Sequence, residues 1–162
     1  MAGKSFRFTI YGEGTNAIYK NNVISNPSTP SNSSSKFLNT DIVRKNIQTI
    51  TIAEDNTVPE GITGTDISSK GDGSVMLWYE DSNGDGLLDI YMGSENGVIE
   101  TNTNGQGMFA YLENVESLDL TNLDTSNITN MSSMFQGSSK LKEINLTNFD
   151  TSNVTSIAGM FN

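Results

Sequence analysis

The chain has 162 residues, a formal net charge of −10 at pH 7, and neither cysteine nor histidine. Nine scattered Lys and Arg residues are too few to neutralise a phosphate backbone or to hold an anionic membrane surface, which argues against nucleic acid as a partner. The lack of Cys and His excludes thiol nucleophiles, Ser-His-Asp triads and ordinary zinc sites. Only 35% of the residues are hydrophobic, and this composition favours short strands and turns.

The N-terminal part of the chain combines a strand pattern with a loop pattern. Phe6, Phe8 and Ile10 alternate with other residues at the period of a half-buried strand. The segment from Asn26 to Lys36 is rich in Ser, Pro and Asn, which predicts a mobile loop or linker. The N-terminus lacks the apolar core of a signal peptide. We therefore expect that a signal has been removed or that the protein leaves the cell by another route, such as inside a virus particle.

Three further strand patterns precede the last third of the chain. Residues 47–52 predict one strand, and residues 74–80 and 87–93 predict two more. The last two flank a loop of Asp, Asn, Ser and Gly, which is typical of a β-hairpin. The longest apolar run, residues 75–79, is too short to cross a bilayer, so no membrane span is expected.

The hairpin loop has the spacing of a calcium-binding loop. Side-chain oxygens at its first, third and fifth positions can converge on one cation, and glycine then permits the sharp turn. The predicted ligands are Asp81, Asn83, Asp85, the main-chain carbonyl of Leu87, and Asp89. This pattern resembles the loop between strands in integrin-type FG-GAP repeats, whereas Met at the twelfth position argues against an EF-hand. The alternative is a polar hairpin tip in which Asp, Asn and Gly serve only the geometry of the turn.

An internal repeat begins near Asn104. Met-Phe pairs start at residues 108, 134 and 160, so the interval between successive pairs is constant. We call this interval the repeat period. Residues 115–135 and 141–161 align at this period without a gap, and ten of the 21 aligned positions are identical. Such strict recurrence favours core packing over a ligand-binding stripe for the Met-Phe pairs.

Each repeat predicts one coil of a solenoid. Leu118 and Leu120, like Ile144 and Leu146, alternate with polar residues and indicate one short strand per coil. Apolar residues at 128, 131, 134 and 135 have the spacing of one helical turn that packs inward. Because a single coil cannot bury its apolar face alone, neighbouring coils must stack. The Met-Phe positions should then be buried against their counterparts one unit away.

The segment TNFDTSNVT at residues 147–155 closely matches the repeat of the BspA-type leucine-rich-repeat surface proteins of bacteria. The chain resembles that family from about residue 46 to residue 162, with a looser match in the hairpin at residues 71–76 and 90–93. The resemblance implies a bacterial or phage-borne extracellular module that binds proteins or glycans, often in adhesion. It also implies a location at the bacterial cell surface or on a virion.

The sequence therefore predicts a mainly β protein with three parts. Residues 1–45 form an N-terminal strand and a Ser/Pro-rich loop region, residues 46–103 form a β lead-in with the hairpin, and residues 104–162 form a short leucine-rich-repeat-like solenoid. The predicted function is non-enzymatic binding or adhesion outside the cell. No enzymatic activity is expected, because the acidic residues lie on loops and strand faces without a second large domain to form a cleft.

The exposed face of the repeat strands is the candidate ligand surface, since leucine-rich-repeat modules usually meet their partners there. Its predicted members are Ser117, Asp119, Thr121, Glu143, Asn145 and Thr147. The alternative is a solvated face without a ligand.

The sequence given ends at Asn162, directly after a Met-Phe pair and without a polar capping repeat. An uncapped end exposes apolar surface, so we expect either a longer array or packing of this end on another subunit. The second case favours an alternative function, that of a structural or decoration subunit in a phage virion or another extracellular assembly.

Overall fold

The computed structural model describes residues 23–25 and 28–162, so the strand predicted at Phe6–Ile10 lies outside the described residues. The described part is mainly β, as predicted, and its one helical element is a short 3-10 helix, Arg44–Asn46. The strands are β1 Ile47–Ala53, β2 Thr65–Asp66, β3 Val75–Glu80, β4 Leu88–Ser94, β5 Ile99–Glu100, β6 Ser117–Asp119, β7 Leu123–Asp124 and β8 Glu143–Asn145.

Strands β1 to β4 form one mixed sheet in the order β1-β4-β3-β2. Strands β3 and β4 pair antiparallel, with Trp78 opposite Tyr91, which confirms the predicted hairpin. Strand β1 pairs with β4 in parallel, with Ile50 opposite Ile90. Since β4 lies between β1 and β3, strand β1 forms one edge of this sheet.

One face of the mixed sheet packs into the core and the other is crossed by a loop. The core face carries Ile50, Leu77 and Ile90, all of them buried. The loop after β1 crosses the opposite face so closely that a Cβ at Gly93 would lie 1.7 Å from the carbonyl oxygen of Asp55. Glycine is therefore required at this crossing, because any side chain would collide with the main chain of the loop.

The repeat units pair with each other in parallel, one repeat period apart. Strand β6 pairs with β8, which places Leu118 opposite Ile144 as predicted. Single bridges join Asn104 to Asn130 and Asn130 to Ser156 at the same spacing. We therefore number the units from these residues: unit 1 is residues 104–129, unit 2 is residues 130–155, and residues 156–162 begin unit 3.

The phenylalanines of the Met-Phe pairs stack on one another. The ring centroids of Phe109 and Phe135 are 5.8 Å apart, and those of Phe135 and Phe161 are 5.2 Å apart, with nearly parallel rings. Phe109 is 0% exposed and Phe135 is 3% exposed, whereas Phe161 is 61% exposed. The predicted contact between equivalent positions is present, but burial at Phe161 is incomplete because only unit 2 covers its ring.

The predicted inward helical turn is instead a series of tight turns. Ile128, Met131 and Met134 are fully buried, as the spacing of these apolar residues predicted. However, Ser133 has a φ of +56°, a left-handed conformation that an α-helix does not contain. The amide of Met134 bonds the carbonyl of Met131 over 3.2 Å, which closes a tight turn ahead of Met134. Apolar residues at a spacing of three positions are compatible with successive tight turns as well as with a helix.

The segment before β1 covers the outer side of unit 1. The described part of the Ser/Pro-rich segment is held by main-chain bonds, from the amide of Arg44 to Ser35 and from that of Lys45 to Ser33. Phe37 is fully buried, and its ring centroid lies 6.4 Å from that of Phe109. Residues 28–36 of the Ser/Pro-rich segment form no helix or strand, in agreement with the predicted loop, and the mobility of this loop stays a prediction.

Candidate functional site

A groove of about 580 Å³ lies between the edge strand β1 and the repeat strand β6. Strand β1 is bonded to β4 on one side only, and no main-chain hydrogen bond joins it to β6 in the part of the chain that the structure describes. A second, smaller hollow of about 180 Å³ continues along the same seam. We call these two hollows together the seam groove, whose polar lining includes Gln48, Thr49, Thr51, Glu116, Ser117, Asp119, Thr121 and Lys140.

The repeat side of the seam groove is ordered by side-chain hydrogen bonds. The Asp119 carboxylate accepts bonds from the hydroxyl and the amide of Thr121, the latter over 3.0 Å. The Asn145 side chain donates to the Thr121 hydroxyl over 2.9 Å, which links units 1 and 2. The bond from the Thr121 hydroxyl, more than any other contact, lowers the pKa of Asp119, so this carboxylate is charged at neutral pH. The groove therefore presents a fixed negative charge.

Two lysines from unit 2 lie beside the groove. Lys142 forms an ion pair with Glu116 over 2.9 Å, and this contact lowers the pKa of Glu116. The ammonium of Lys140 donates to the Asn114 side chain over 2.7 Å. Because Lys142 already pairs with Glu116, Asp119 is the acidic group of the lining without an ion pair among the described residues.

The six residues of the predicted ligand surface lie together on the side of β6 and β8. Five of them are exposed, and Thr121 is half-buried. Ser117 pairs across the strands with Glu143, and Asp119 pairs with Asn145. Ser117, Asp119 and Thr121 also line the seam groove, whereas the three residues of unit 2 lie beyond it.

The predicted calcium loop uses its side chains to bond its own main chain. Asp81 accepts from the amide of Gly86 over 3.0 Å, Asn83 from the amide of Asp85 over 3.0 Å, and Asp85 from the amide of Leu87 over 2.8 Å. These bonds are those of a tight polar turn. No cluster of three or more acidic side chains placed to hold a metal ion is present among the described residues. Calcium at this loop stays a prediction.

Asp89, the last predicted calcium ligand, is buried and lies on strand β4. Its carboxylate accepts from the hydroxyl of Thr49 over 2.6 Å and from the hydroxyl of Ser82. These two bonds, that of Ser82 first, lower the pKa of Asp89. The structure thus joins Asp89 to strand β1 and to the start of the loop through hydroxyl groups.

Sequence reasoning missed the β1 side of the groove. Thr49 and Thr51 look like the polar face of an ordinary half-buried strand, and Gln48 looks like a polar residue near its start. Nothing local shows that this strand would be a sheet edge. Edge position depends on the parallel pairing with β4, which lies beyond two intervening strands in the sequence and which a local pattern does not reveal.

The groove is suited to hydrogen bonding. Hydroxyl, amide and carboxylate groups on both sides can bind the main chain of a peptide or the hydroxyls of a sugar. Within the described residues, no helix is long and apolar enough to cross a bilayer.

Part of the chain matches a known family. Residues 103–162 match the sequence model of a family described as "Mycoplasma protein of unknown function, DUF285", which is less than half of the chain. The match covers all three Met-Phe pairs and begins after the mixed sheet. No curated protein and no solved structure matches the chain.

Proposed function

We propose that the chain is a non-enzymatic extracellular binding or adhesion module whose repeats stack as a short leucine-rich-repeat-like solenoid. Support for the stacking comes from the parallel pairing of equivalent residues in successive units and from the three stacked phenylalanines. Each unit buries its apolar residues against the next unit, which is the way repeat proteins gain stability. The location, at a bacterial cell surface or on a virion, rests on the family resemblance of the repeat sequence.

The observation that carries the binding function is the seam groove. It runs along the exposed strand face of unit 1, where the sequence places the ligand surface, and it adds a second wall from β1. Two walls with hydrogen-bonding groups surround a ligand better than a flat face does, because they remove more of its surface from water. The partner is thus a protein segment or a glycan that lies along the groove.

The non-enzymatic part of the proposal rests on composition. The chain has no histidine and no cysteine, so the commonest general base and the thiol nucleophile are both missing. Carboxylates remain, and the two acidic residues of the groove lining, Glu116 and Asp119, both have lowered pKa values. A carboxyl group with a lowered pKa is ionised near neutral pH, so it has no proton to donate and is a weak proton acceptor.

A screen with two probe sets tests the binding function. The purified chain is applied to a glycan array and to a library of displayed peptides, and the bound species are measured again with Ser117→Arg. Ser117 is exposed and lines the groove, so a long charged side chain there should obstruct it. We expect the variant to lose at least about tenfold in affinity, which corresponds to about 1.4 kcal/mol.

Ser139→Arg is the matched control for this screen. It makes the same change at an exposed serine of the repeat region outside the groove lining, so it should bind the same species as the unmodified chain. If both variants bind equally well, the ligand binds outside the groove, and the groove does not carry the binding function.

A bound calcium ion that stiffens the hairpin is part of the proposal, and the spacing of the loop oxygens supports it. Calcium that binds only the folded state raises stability. We expect EGTA to lower the melting temperature and calcium to restore it, and Asp85→Ala to abolish the difference. If neither EGTA nor Asp85→Ala changes the melting temperature, the loop binds no calcium and is only a polar turn.

The alternative function, proposed from the sequence, is that of a structural or decoration subunit of a phage virion or another extracellular assembly. Light scattering at high protein concentration tests this role, since a clean monomer would count against it.

A further inference from the structure

The face of the mixed sheet that is turned away from the core carries a row of side chains that leads to the seam groove. Trp78 of β3 lies opposite Tyr91 of β4, and Tyr91 lies opposite Thr51 of β1. Side chains of cross-strand partners point to the same face of a sheet, so these three are neighbours. Thr51 and Asp119 line both hollows of the groove. Tyr91 therefore lies beside the middle of the groove, one strand away from it.

The ring of Tyr91 turns one side towards the groove. Its other side is stacked on Trp78, with ring centroids 5.8 Å apart and planes inclined by 11°. Because β4 lies between β3 and β1, the side that Trp78 leaves free faces β1. The loop after β1 crosses this face at Gly93, further along β4, and Tyr91 is half-buried. An aromatic surface thus borders a groove of hydrogen-bonding groups.

The distance between the strands excludes a peptide that adds to β1 as a further strand. Such a strand would lie between β1 and β6 and would need about 9.5 Å, twice the distance between neighbouring strands of a sheet. The Cα atoms of β1 and β6 approach each other to within 8 Å. Main-chain pairing with a sheet edge, from which many extended peptides gain their affinity, is therefore blocked along the seam.

The seam groove also offers little apolar surface to the side chains of a peptide. Its apolar lining consists of Ile50, Ile52 and Leu87, of which the first is 6% exposed and the other two are half-buried. Protein partners bind mainly through aromatic and other large side chains that fill well-packed pockets. The hydroxyls of a sugar need only the polar groups that make up the rest of the lining. These features favour a glycan over a peptide.

The charge of the groove selects among glycans. Asp119 is ionised at neutral pH and forms no ion pair among the described residues. Lys140 lines only the larger hollow, where it donates to Asn114, so the described lining of the smaller hollow has a carboxylate and no cation. A carboxylate accepts hydrogen bonds from neutral hydroxyls but repels the carboxylates of acidic sugars. The occupant that fits is a neutral oligosaccharide.

We propose that the seam groove binds a neutral oligosaccharide, with one sugar ring packed on the free side of the Tyr91 ring and its hydroxyls bonded to Thr51 and Asp119. This inference rests on the binding function proposed above and assigns the ligand class. A pyranose ring has a face of C–H groups that packs on an aromatic ring, while its hydroxyls point outward around its edge. An aromatic ring beside hydroxyl and carboxylate groups meets both needs in one place.

A glycan array followed by calorimetry tests the ligand class. The array carries neutral oligosaccharides of glucose, galactose, mannose and N-acetylhexosamines, beside oligosaccharides that contain uronic or sialic acids. We expect the chain to bind neutral members and to bind their acidic counterparts at least about tenfold more weakly. The neutral oligosaccharide with the strongest signal is then titrated against variants of the chain by calorimetry.

Tyr91→Leu removes the ring and keeps an apolar side chain against Trp78. We expect it to bind this oligosaccharide at least about fivefold more weakly, because the contact with the aromatic ring is lost. Tyr91→Phe keeps the ring and should bind within about twofold of the unmodified chain. Tyr79→Leu is the matched control and should bind normally, since Tyr79 is 46% exposed and points to the opposite face of the same sheet.

NMR adds a measurement that does not depend on the folding of a variant. When the oligosaccharide is added to the unmodified chain, the ring signals of Tyr91 should shift and those of Tyr79 should stay in place. Ring signals of Tyr91 that do not move would overturn the inference.

Other results would overturn the inference while the binding function stands. They are binding of displayed peptides alone, equal binding of acidic and neutral oligosaccharides, or a loss of binding with Ser117→Arg that Tyr91→Leu does not share. A chain that binds neither glycans nor peptides would overturn the binding function itself, and the ligand class with it.

Discussion

The two ends of the repeat region have the same sequence pattern but different surroundings. At the closed end, which Arg44 and Phe37 cover, Phe109 lies between Phe37 and Phe135 and is completely buried. At the open end, formed by residues 156–162, Phe161 contacts Phe135 on one side and is 61% exposed. The same phenylalanine position is therefore core in one place and surface in the other.

This difference shows that the burial of a residue in a repeat protein depends on the units beside it and not on its position in the motif. A unit contributes stability through the contacts it makes with the units on either side. The closed end has a substitute for a preceding unit, made from Arg44 and Phe37, which satisfies both the carbonyls and the aromatic ring. The open end has no such substitute among the described residues.

The largest effect is expected when equivalent phenylalanines at the two positions are truncated. Phe135→Ala removes a ring that is packed on both sides, and we expect a loss of about 3 to 5 kcal/mol in the free energy of unfolding. Phe161→Ala removes a ring stacked on one side only, and we expect a loss of about 1 kcal/mol. Urea unfolding followed by circular dichroism measures both.

The two variants share the same side-chain change, so each serves as the control of the other. Equal losses would contradict the comparison, because they would mean that the two rings have equivalent surroundings. A change in the slope of the urea transition would indicate that the repeat region unfolds in parts.

The second test removes the substitute at the closed end. Arg44→Met keeps most of the side-chain length but leaves the carbonyls of Met108 and Ala110 without their donor. Burial lowers the pKa of Arg44 to about 10, so the guanidinium is charged at neutral pH and its burial has a cost that the variant relieves. Each buried carbonyl left unpaired costs about 1 to 3 kcal/mol, and we expect a net loss of about 2 kcal/mol.

Lys45→Met is the matched control, since Lys45 is the exposed neighbour of Arg44 and its main-chain bond to Ser33 is unaffected. It should change the free energy of unfolding by less than about 0.5 kcal/mol. Urea unfolding at pH 7 compares the two. A loss no greater for Arg44→Met than for Lys45→Met would show that the carbonyls of unit 1 do not need this donor.

The sequence predicted the elements that are repeated or local. The constant interval between the Met-Phe pairs predicted the pairing of Leu118 with Ile144, because equivalent residues of stacked units must lie side by side. The hairpin of β3 and β4 was predictable as well, since its loop joins two neighbouring strand patterns. In both cases the information lies in a short stretch of sequence or occurs in two repeats.

Other features depend on contacts that no local pattern encodes. Arg44 begins a run of three polar residues, Arg44–Asn46, and looks like a surface residue. Only the folded chain shows that it is buried against Met108, 64 residues away. The parallel pairing of β1 with β4, and hence the seam groove, is equally nonlocal. The left-handed turn at Ser133 did have a signal, because glycine occupies the equivalent positions 107 and 159.

The test with the smallest expected effect asks whether the backbone conformation of a turn depends on the units beside it. Gly107, Ser133 and Gly159 occupy the same position, with φ values of +64°, +56° and +62°. A residue with a side chain loses about 1 kcal/mol in this left-handed conformation, whereas glycine adopts it freely. We expect Ser133→Gly to raise the free energy of unfolding by about 1 kcal/mol, measured by urea unfolding.

Gly159→Ala is the reciprocal change at the open end. A Cβ there would meet no atom closer than the Ser133 hydroxyl oxygen at 3.6 Å, so the substitution adds conformational strain without a collision. We expect a loss of about 1 kcal/mol. Opposite signs at the two positions would mean that the turn has one conformational requirement in every unit, closed or open. If Gly159→Ala were neutral while Ser133→Gly stabilised, the turn at the open end would not be held in place, and the difference between the ends would extend from side-chain burial to the backbone itself.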